Sequence, residues 1–267
     1  MWVRKLLRVV LQEYAITGVA AEAAAWGRKS EPPQSDCMED DMNREKYDLL
    51  EGYMKECMQD SAHDKEHIYR VLYTALEIAE TEKDVDYDVL IAACLLHDIG
   101  RSDQFENPKI CHALAGAEKA YTFLESRGFA AEFCEKVRHC IASHRFRRDR
   151  QPQSLEAKIL FDADKIDVAG AVGIARTLIY KGIVGEPMYR MLPDGRVSDG
   201  AGDTEPSFFY EYKYKLENIY SGFYTDKGAE IAKSRQSAAK DFYSALYREV
   251  SAPYVTGRRH LEEYVER

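Results

Sequence analysis

Val89-Leu-Ile-Ala-Ala-Cys-Leu-Leu96 runs without a break into His97-Asp98-Ile-Gly-Arg101. It is among the most hydrophobic stretches of the chain, and it ends on an imidazole and a carboxylate side by side. A short apolar run of this kind fits a buried strand or a buried helix; its length and alanine content favour helix. A polar pair closing such a run is expensive to bury unless it is paired or metal-bound. Gly100, two residues after Asp98, is expected to stop the helix.

Outward from this point the periodicity is helical almost throughout. Ile68, Val71, Leu72, Ala75, Ile78 and Ala79 recur at i, i+3, i+4 and i+7 behind an N-cap candidate at Asp64. Further helical runs are expected over 112–127, ended by Gly128, over 130–143, over 154–181 with a break near Gly170 and Gly173, over 207–221 and over 226–250. The segment 183–206 is dense in Gly and Pro and poor in periodic apolar residues, so it reads as a long loop and a candidate lid. This gives an all-α chain: an extension over 1–38, a main domain over 42–182, the loop, C-terminal helices over 207–252 packed on that domain, and a tail over 253–267. Glu31-Pro-Pro sets off the first segment, which contributes no motif and reads as nonessential.

Composition narrows the function classes. Lys and Arg number 37 against 46 Asp and Glu, a net charge of −9, which argues against bulk nucleic-acid binding. The 45% hydrophobic content with 18 Tyr and 10 Phe is that of a globular chain. Six scattered cysteines form no C-x-x-C pair, which fits a reducing cytoplasm. No stretch has the length of a membrane span.

Chemistry concentrates in four places: His67 in His63-Asp-Lys-Glu-His-Ile-Tyr-Arg70-Val, His97-Asp98, His144 in Ala142-Ser-His-Arg-Phe-Arg-Arg148, and Asp164 in Phe161-Asp-Ala-Asp-Lys-Ile-Asp167. Helical-wheel arithmetic does not choose among Asp162, Asp164 and Asp167; Ile159, Ala163 and Ile166 define a face to which Asp162 and Asp167 lie closer. Arg101, Arg145 and Lys165 adjoin these residues in sequence and are candidates for holding phosphate.

Taken together, the motifs resemble those of the HD superfamily of metal-dependent phosphohydrolases, and their wording is similar to that of small bacterial HD hydrolases, some acting on nucleotides. The resemblance spans about residues 60 to 182 and implies an all-α HD bundle with metal ligands His67, His97, Asp98 and Asp164. It selects Asp164 over its two neighbours, leaving Asp162 or Asp167 to orient a ligand. It also implies that His112 and His144 could hold a second ion, with His139 a weaker candidate and Asp98 able to bridge. His97, Asp98 and His144 are expected to carry catalysis. A weaker C-terminal likeness adds Lys215 and Arg235 to the substrate-binding candidates. Two imidazoles with two carboxylates suit one or two divalent ions, Mn, Mg, Co, Ni, Fe or Zn. The implied reaction is water attack on a small phosphorylated metabolite, a nucleotide, at a phosphomonoester or pyrophosphate bond, with no membrane partner. Alarmone hydrolysis fits poorly, because the acidic pair shortly after the His-Asp doublet is missing, and the Gly-Tyr-Pro element of cyclic-dinucleotide enzymes is missing too. An inactive nucleotide-binding HD module and a di-iron oxygenase are the alternatives.

Overall fold

The computed structural model describes residues 41–58, 65–145, 147 and 149–266. The expectations for the extension 1–38 and for a cap at Asp64 lie outside the described residues. Helices α1 (Arg44–Cys57), α2 (Lys65–Ala79), α3 (Tyr87–Leu96), α5 (His112–Ser126), α6 (Ala131–Ser143) and α7 (Leu155–Ile166) build the first core, while the short α4 (Arg101–Glu106) between α3 and α5 buries no residue. Helices α8 (Gly170–Val184), α9 (Phe208–Tyr214) and α10 (Asp226–Val265) build a second. Among the described residues there are no strands, only one isolated antiparallel bridge between Met191 and Val197.

The opening run is α3, and it lies at the centre. Seven of its ten residues are buried, on all sides of the helix, because α1, α2, α5, α6 and α7 all pack against it. A helix apolar all round needs such an enclosure. Asp86 caps its start by accepting a hydrogen bond from the Val89 amide, and the chain turns out of the helix at His97. The His-Asp pair is thereby carried into the interior, with His97 and Asp98 at most 1% exposed.

Three differences from expectation have physical causes. The break expected near Gly170 and Gly173 falls just before them: α7 ends at Ile166 and α8 starts at Gly170, whose φ of +70° suits the residue that lacks a Cβ. The 207–221 run divides into α9 and a 3₁₀ turn over Leu216–Asn218. The expected tail over 253–267 is helix, since α10 continues through Pro253 to Val265. A proline removes one donor, and here the turns beyond it are tied down: the Tyr254 and Tyr189 hydroxyls are hydrogen-bonded, Arg258 donates to the Asp194 carbonyl, and Arg258–Glu262 and Arg259–Glu263 pair at i, i+4.

The loop over 183–206 is fastened into the second core. Val197 and Ser198 are buried, the Tyr243 hydroxyl of α10 donates to the Asp199 carbonyl, and Gly200 sits so close to the Phe209 carbonyl that a Cβ would meet it at 2.2 Å. These fastenings give the segment a packing role.

Candidate functional site

Five buried side chains from four places in the chain converge where α3 ends. His67 comes from α2, His97 and Asp98 from the turn after α3, His112 from the first position of α5, and His144 from the turn that ends α6. The two carboxylate oxygens of Asp98 face opposite ways. Its Oδ2 lies 3.4 Å from His67 Nε2 and 3.6 Å from His97 Nε2. Its Oδ1 lies 3.5 Å from His112 Nε2 and 3.6 Å from His144 Nε2. Asp164 of α7 joins the first group, with Oδ1 at 3.2 Å from His67 Nε2 and 3.9 Å from His97 Nε2.

What points all four imidazoles the same way is their other nitrogen. His97 Nδ1 donates to the Cys94 carbonyl (2.8 Å) and His144 Nδ1 to the Ile141 carbonyl (2.6 Å), each three residues back in its own helix. His67 Nδ1 donates to Asp167 Oδ2 (2.8 Å) and His112 Nδ1 to Gln104 Oε1 (2.6 Å). With an acceptor at every Nδ1, each ring keeps a proton there and turns its Nε2 to the Asp98 cluster; His97, His112 and His144 offer a lone pair, whereas the raised pKa of His67 leaves a proton on its Nε2 as well.

The electrostatics follow from burial and neighbours. Burial lowers the pKa of His97 to about 4 and of His144 in the same direction; burial, aided by the Arg101 charge, lowers His112 to about 2, so these three are neutral imidazoles at neutral pH. For His67, burial would lower the pKa, but Asp164, Asp167 and Asp98 together raise it to about 10. Burial would raise the pKa of Asp98, yet Arg101 and the imidazoles hold its carboxyl well below the ordinary range.

Asp98 Oδ1 and the Nε2 atoms of His112 and His144 are buried without hydrogen-bond partners. Each such atom costs about 1–3 kcal/mol if left so. Donors at about 2.0–2.2 Å from one ion stand roughly 3–3.5 Å apart, so the 3.5 and 3.6 Å separations suit a cation between them. Two overlapping groups could hold one: His67, His97 and Asp98, and Asp98, His112 and His144, with ligand atoms of each group within 4.8 Å of one another.

The chain is similar to known proteins. The HD domain family matches residues 65–169. The crystal structure of a predicted HD superfamily hydrolase from an uncultured Thermotogales bacterium is 30% identical, over 76% of this chain and 92% of its own, with a TM-score of 0.52. The chain belongs to the HD superfamily of hydrolases. YpgQ of Bacillus subtilis (strain 168) is 29% identical over 197 residues, which is 72% of this chain and 86% of YpgQ. The structure of YpgQ in complex with ADP is similar at 25% identity and a TM-score of 0.59, covering 76% of this chain and 97% of that one.

Within this HD fold the expected residues separate. Asp164 lies with His67 and His97, whereas Asp162 is turned away: it accepts from the Tyr224 and Thr225 amides and the Thr225 hydroxyl, at 2.7–3.0 Å, and so holds the start of α10. Asp167 is the residue that orients His67. Burial would raise its pKa, but His67, Arg70 and Arg176 hold it down, Arg70 through two bonds of 2.7 and 3.1 Å and Arg176 through one of 2.5 Å. His139 is exposed, with its Nδ1 on the Glu135 carbonyl, and lies apart from the cluster.

Of the cations expected to bind substrate, Arg101 sits on Asp98 Oδ2 at 2.5 Å and Arg145 reaches the Cys111 sulfur at 3.9 Å, next to His112. The other three are placed elsewhere. Lys165 donates to the Ser221 and Gly222 carbonyls and lies over the Phe223 ring, because one step along a helix turns a side chain about 100° from Asp164. Arg235 clasps the Ile166 carbonyl at the end of α7, and Lys215 is an exposed partner of Glu211. Gln104 escaped the sequence reading, since nothing local marks it as the acceptor for His112 eight residues on.

Proposed function

We propose that this HD hydrolase is a metal-dependent phosphohydrolase that cleaves a phosphoester or phosphoanhydride bond of a nucleotide. The observation that carries the reading is the two-sided Asp98, each carboxylate oxygen faced by two imidazole Nε2 atoms. His67, His97, Asp98 and Asp164 would hold one divalent ion, and Asp98, His112 and His144 a second; nitrogen and oxygen donors of this kind suit Mn, Fe, Co, Ni, Zn or Mg. Bound there, such an ion polarises a phosphoryl oxygen and lowers the pKa of water at the site. Asp98, buried and ionised, keeps the two groups of ligands in register. Arg101, on Asp98, and Arg145, on the Cys111 sulfur next to His112, would hold phosphate oxygens, a task for which guanidinium geometry is suited. The ADP found in the YpgQ structure supports a nucleotide as the substrate class.

The test is a panel of nucleoside mono-, di- and triphosphates, with inorganic tripolyphosphate, run on chelator-stripped protein and on protein reloaded with Mn, Co, Ni or Mg. Stripped protein is expected to be inert and reloaded protein to release phosphate or pyrophosphate from nucleotides. Inactivity with every metal would overturn the reading.

Metal uptake is also expected to release a proton. In metal-free protein His67 is protonated below about pH 10, and an ion can take its Nε2 only after that proton leaves. Apparent affinity should therefore rise by about tenfold per pH unit across the neutral range, where His67 is protonated and must give up one proton to the solvent for each ion bound. The same raised pKa contributes stability to the metal-free protein that is fully present below the unfolded value of 6.5 and lost as pH rises through about 10. Calorimetric titrations at pH 7 in buffers of different ionisation enthalpy should give heats that diverge by about one proton per ion. Equal heats would place the proton elsewhere.

A further inference from the structure

We infer that Tyr180 is the platform on which the substrate's base stacks, against an exposed apolar stripe of α8; the inference rests on the nucleotide phosphohydrolase reading above. Val172, Arg176, Tyr180 and Ile183 follow one another by four, four and three residues and so share one helical face. Val172 is 38% exposed, Tyr180 59% and Ile183 55%. The opposite side of the helix is fixed in place: Gly173, Ile174 and Lys181 are buried, Ile174 belongs to the second core, and Lys181 is paired with Glu186. The stripe therefore cannot be turned inward by a small rotation of α8.

One contact and one longer-range electrostatic neighbour show which part of the molecule this face borders. Arg176, in the middle of the stripe, bonds Asp167, whose carboxylate holds His67 Nδ1. One turn further on, Tyr180 lies near enough to Arg101 to interact with its charge, and Arg101 sits on Asp98. The stripe thus runs beside the His and Asp cluster, with a cation at each of these points and apolar surface between and beyond. A ligand whose phosphate meets Arg101 and Asp98 would extend its remaining part along α8. An exposed phenol ring at that point suits a planar, aromatic group, and a nucleobase is the aromatic part of the substrate class already reached. Stacking on an aromatic ring is tolerant of base identity, because every base has a π-face. The expected specificity is accordingly for nucleotides over base-free phosphates, with little preference among the bases.

The experiment compares kcat/KM for a nucleoside triphosphate with that for inorganic tripolyphosphate, in metal-loaded wild type, Tyr180→Ala and Tyr180→Phe. Loss of stacking should lower the nucleotide-to-tripolyphosphate ratio by about tenfold or more in Tyr180→Ala, chiefly through KM. Tyr180→Phe, which keeps the ring, should stay within about twofold of wild type, and ADP binding measured by calorimetry should weaken in parallel in Tyr180→Ala alone. A ratio unchanged in Tyr180→Ala, in an enzyme whose wild type cleaves nucleotides, overturns the inference and leaves the nucleotide reading intact. Equal losses on both substrates, accompanied by dissociation of a dimer in size-exclusion chromatography, would make the stripe an interface between copies instead. Wild-type protein that cleaves tripolyphosphate but no nucleotide would remove the nucleotide reading and this inference together.

Discussion

Asp98→Ala is expected to empty both metal groups at once and to lower turnover by roughly a thousandfold or more. Among the described residues Asp98 is the one shared by both groups: Oδ2 lies toward His67 and His97, and Oδ1 toward His112 and His144. Charge stabilisation by a bound ion is worth several kcal/mol of barrier, and about 4 kcal/mol is three powers of ten in rate. The fold should survive. Asp98 stands in the turn after α3, and its one guanidinium partner, Arg101, has a side chain 37% exposed that can turn to water. Because Arg101 and the imidazoles hold the Asp98 carboxyl well below the ordinary range, its charge stabilises the stripped fold, and Asp98→Ala should lower the melting temperature of stripped protein. The decisive comparison is therefore thermal unfolding with and without added Mn. Wild type should gain stability by mass action, whereas Asp98→Ala should not respond, with its helical circular dichroism unchanged. Retention of metal and turnover by the variant would refute the two-sided assignment.

The parts of this site that could be read in sequence are those where chemistry conflicts with burial. An imidazole and a carboxylate ending the run 89–96 stood out because their desolvation demands a partner, and α3 proves to be enclosed on every side. Asp164 could not be separated from Asp162 by periodicity, and the reason is now visible. Helix α7 is buried on two sides, so Asp162 is as enclosed as a ligand would be, yet it faces the start of α10. A single apolar face gives no guidance for such a helix. Lys165 adjoins Asp164 in sequence, but its ammonium lies on the Ser221 and Gly222 carbonyls, because neighbours along a helix point different ways. Arg235 and Lys215 belong to the contacts of α7 and α9, which depend on how the C-terminal helices dock. The Nδ1 acceptors divide in the same way. Cys94 and Ile141 each lie three residues before their histidine at a helix end, a local relation, whereas Gln104 and Asp167 depend on tertiary packing.

Gly100 was expected to serve as a helix stop, but its φ of −91° and ψ of 4° are open to any residue. Its need for glycine comes from across the interface. A Cβ at Gly100 would lie 2.3 Å from the His112 carbonyl oxygen and 2.5 Å from the Gly116 nitrogen, both backbone atoms of α5 that cannot rotate aside. Gly100→Ala is therefore expected to push the first turn of α5 away, and His112 with it. His112 begins 3.5 Å from Asp98 Oδ1, so a displacement on the order of 1 Å would take its Nε2 out of reach of an ion shared with His144. Misplacement of this size commonly costs about a hundredfold in rate. The overpacking itself should cost about 1–3 kcal/mol, or roughly 2–4 °C in melting temperature per kcal/mol for a domain of this size. Gly116→Ala is a graded companion, since a Cβ there would meet the Gly100 nitrogen at 3.2 Å and the His97 carbonyl at 3.4 Å, a contact that small shifts relieve. Elemental analysis should show the metal content of Gly100→Ala falling toward one ion per chain, with His67, His97, Asp98 and Asp164 still in place, and Gly116→Ala should fall between it and wild type. Wild-type melting and turnover in Gly100→Ala would mean that the α4–α5 contact yields without moving His112, and that the close approach of the two glycines has no part in holding the second group of ligands together.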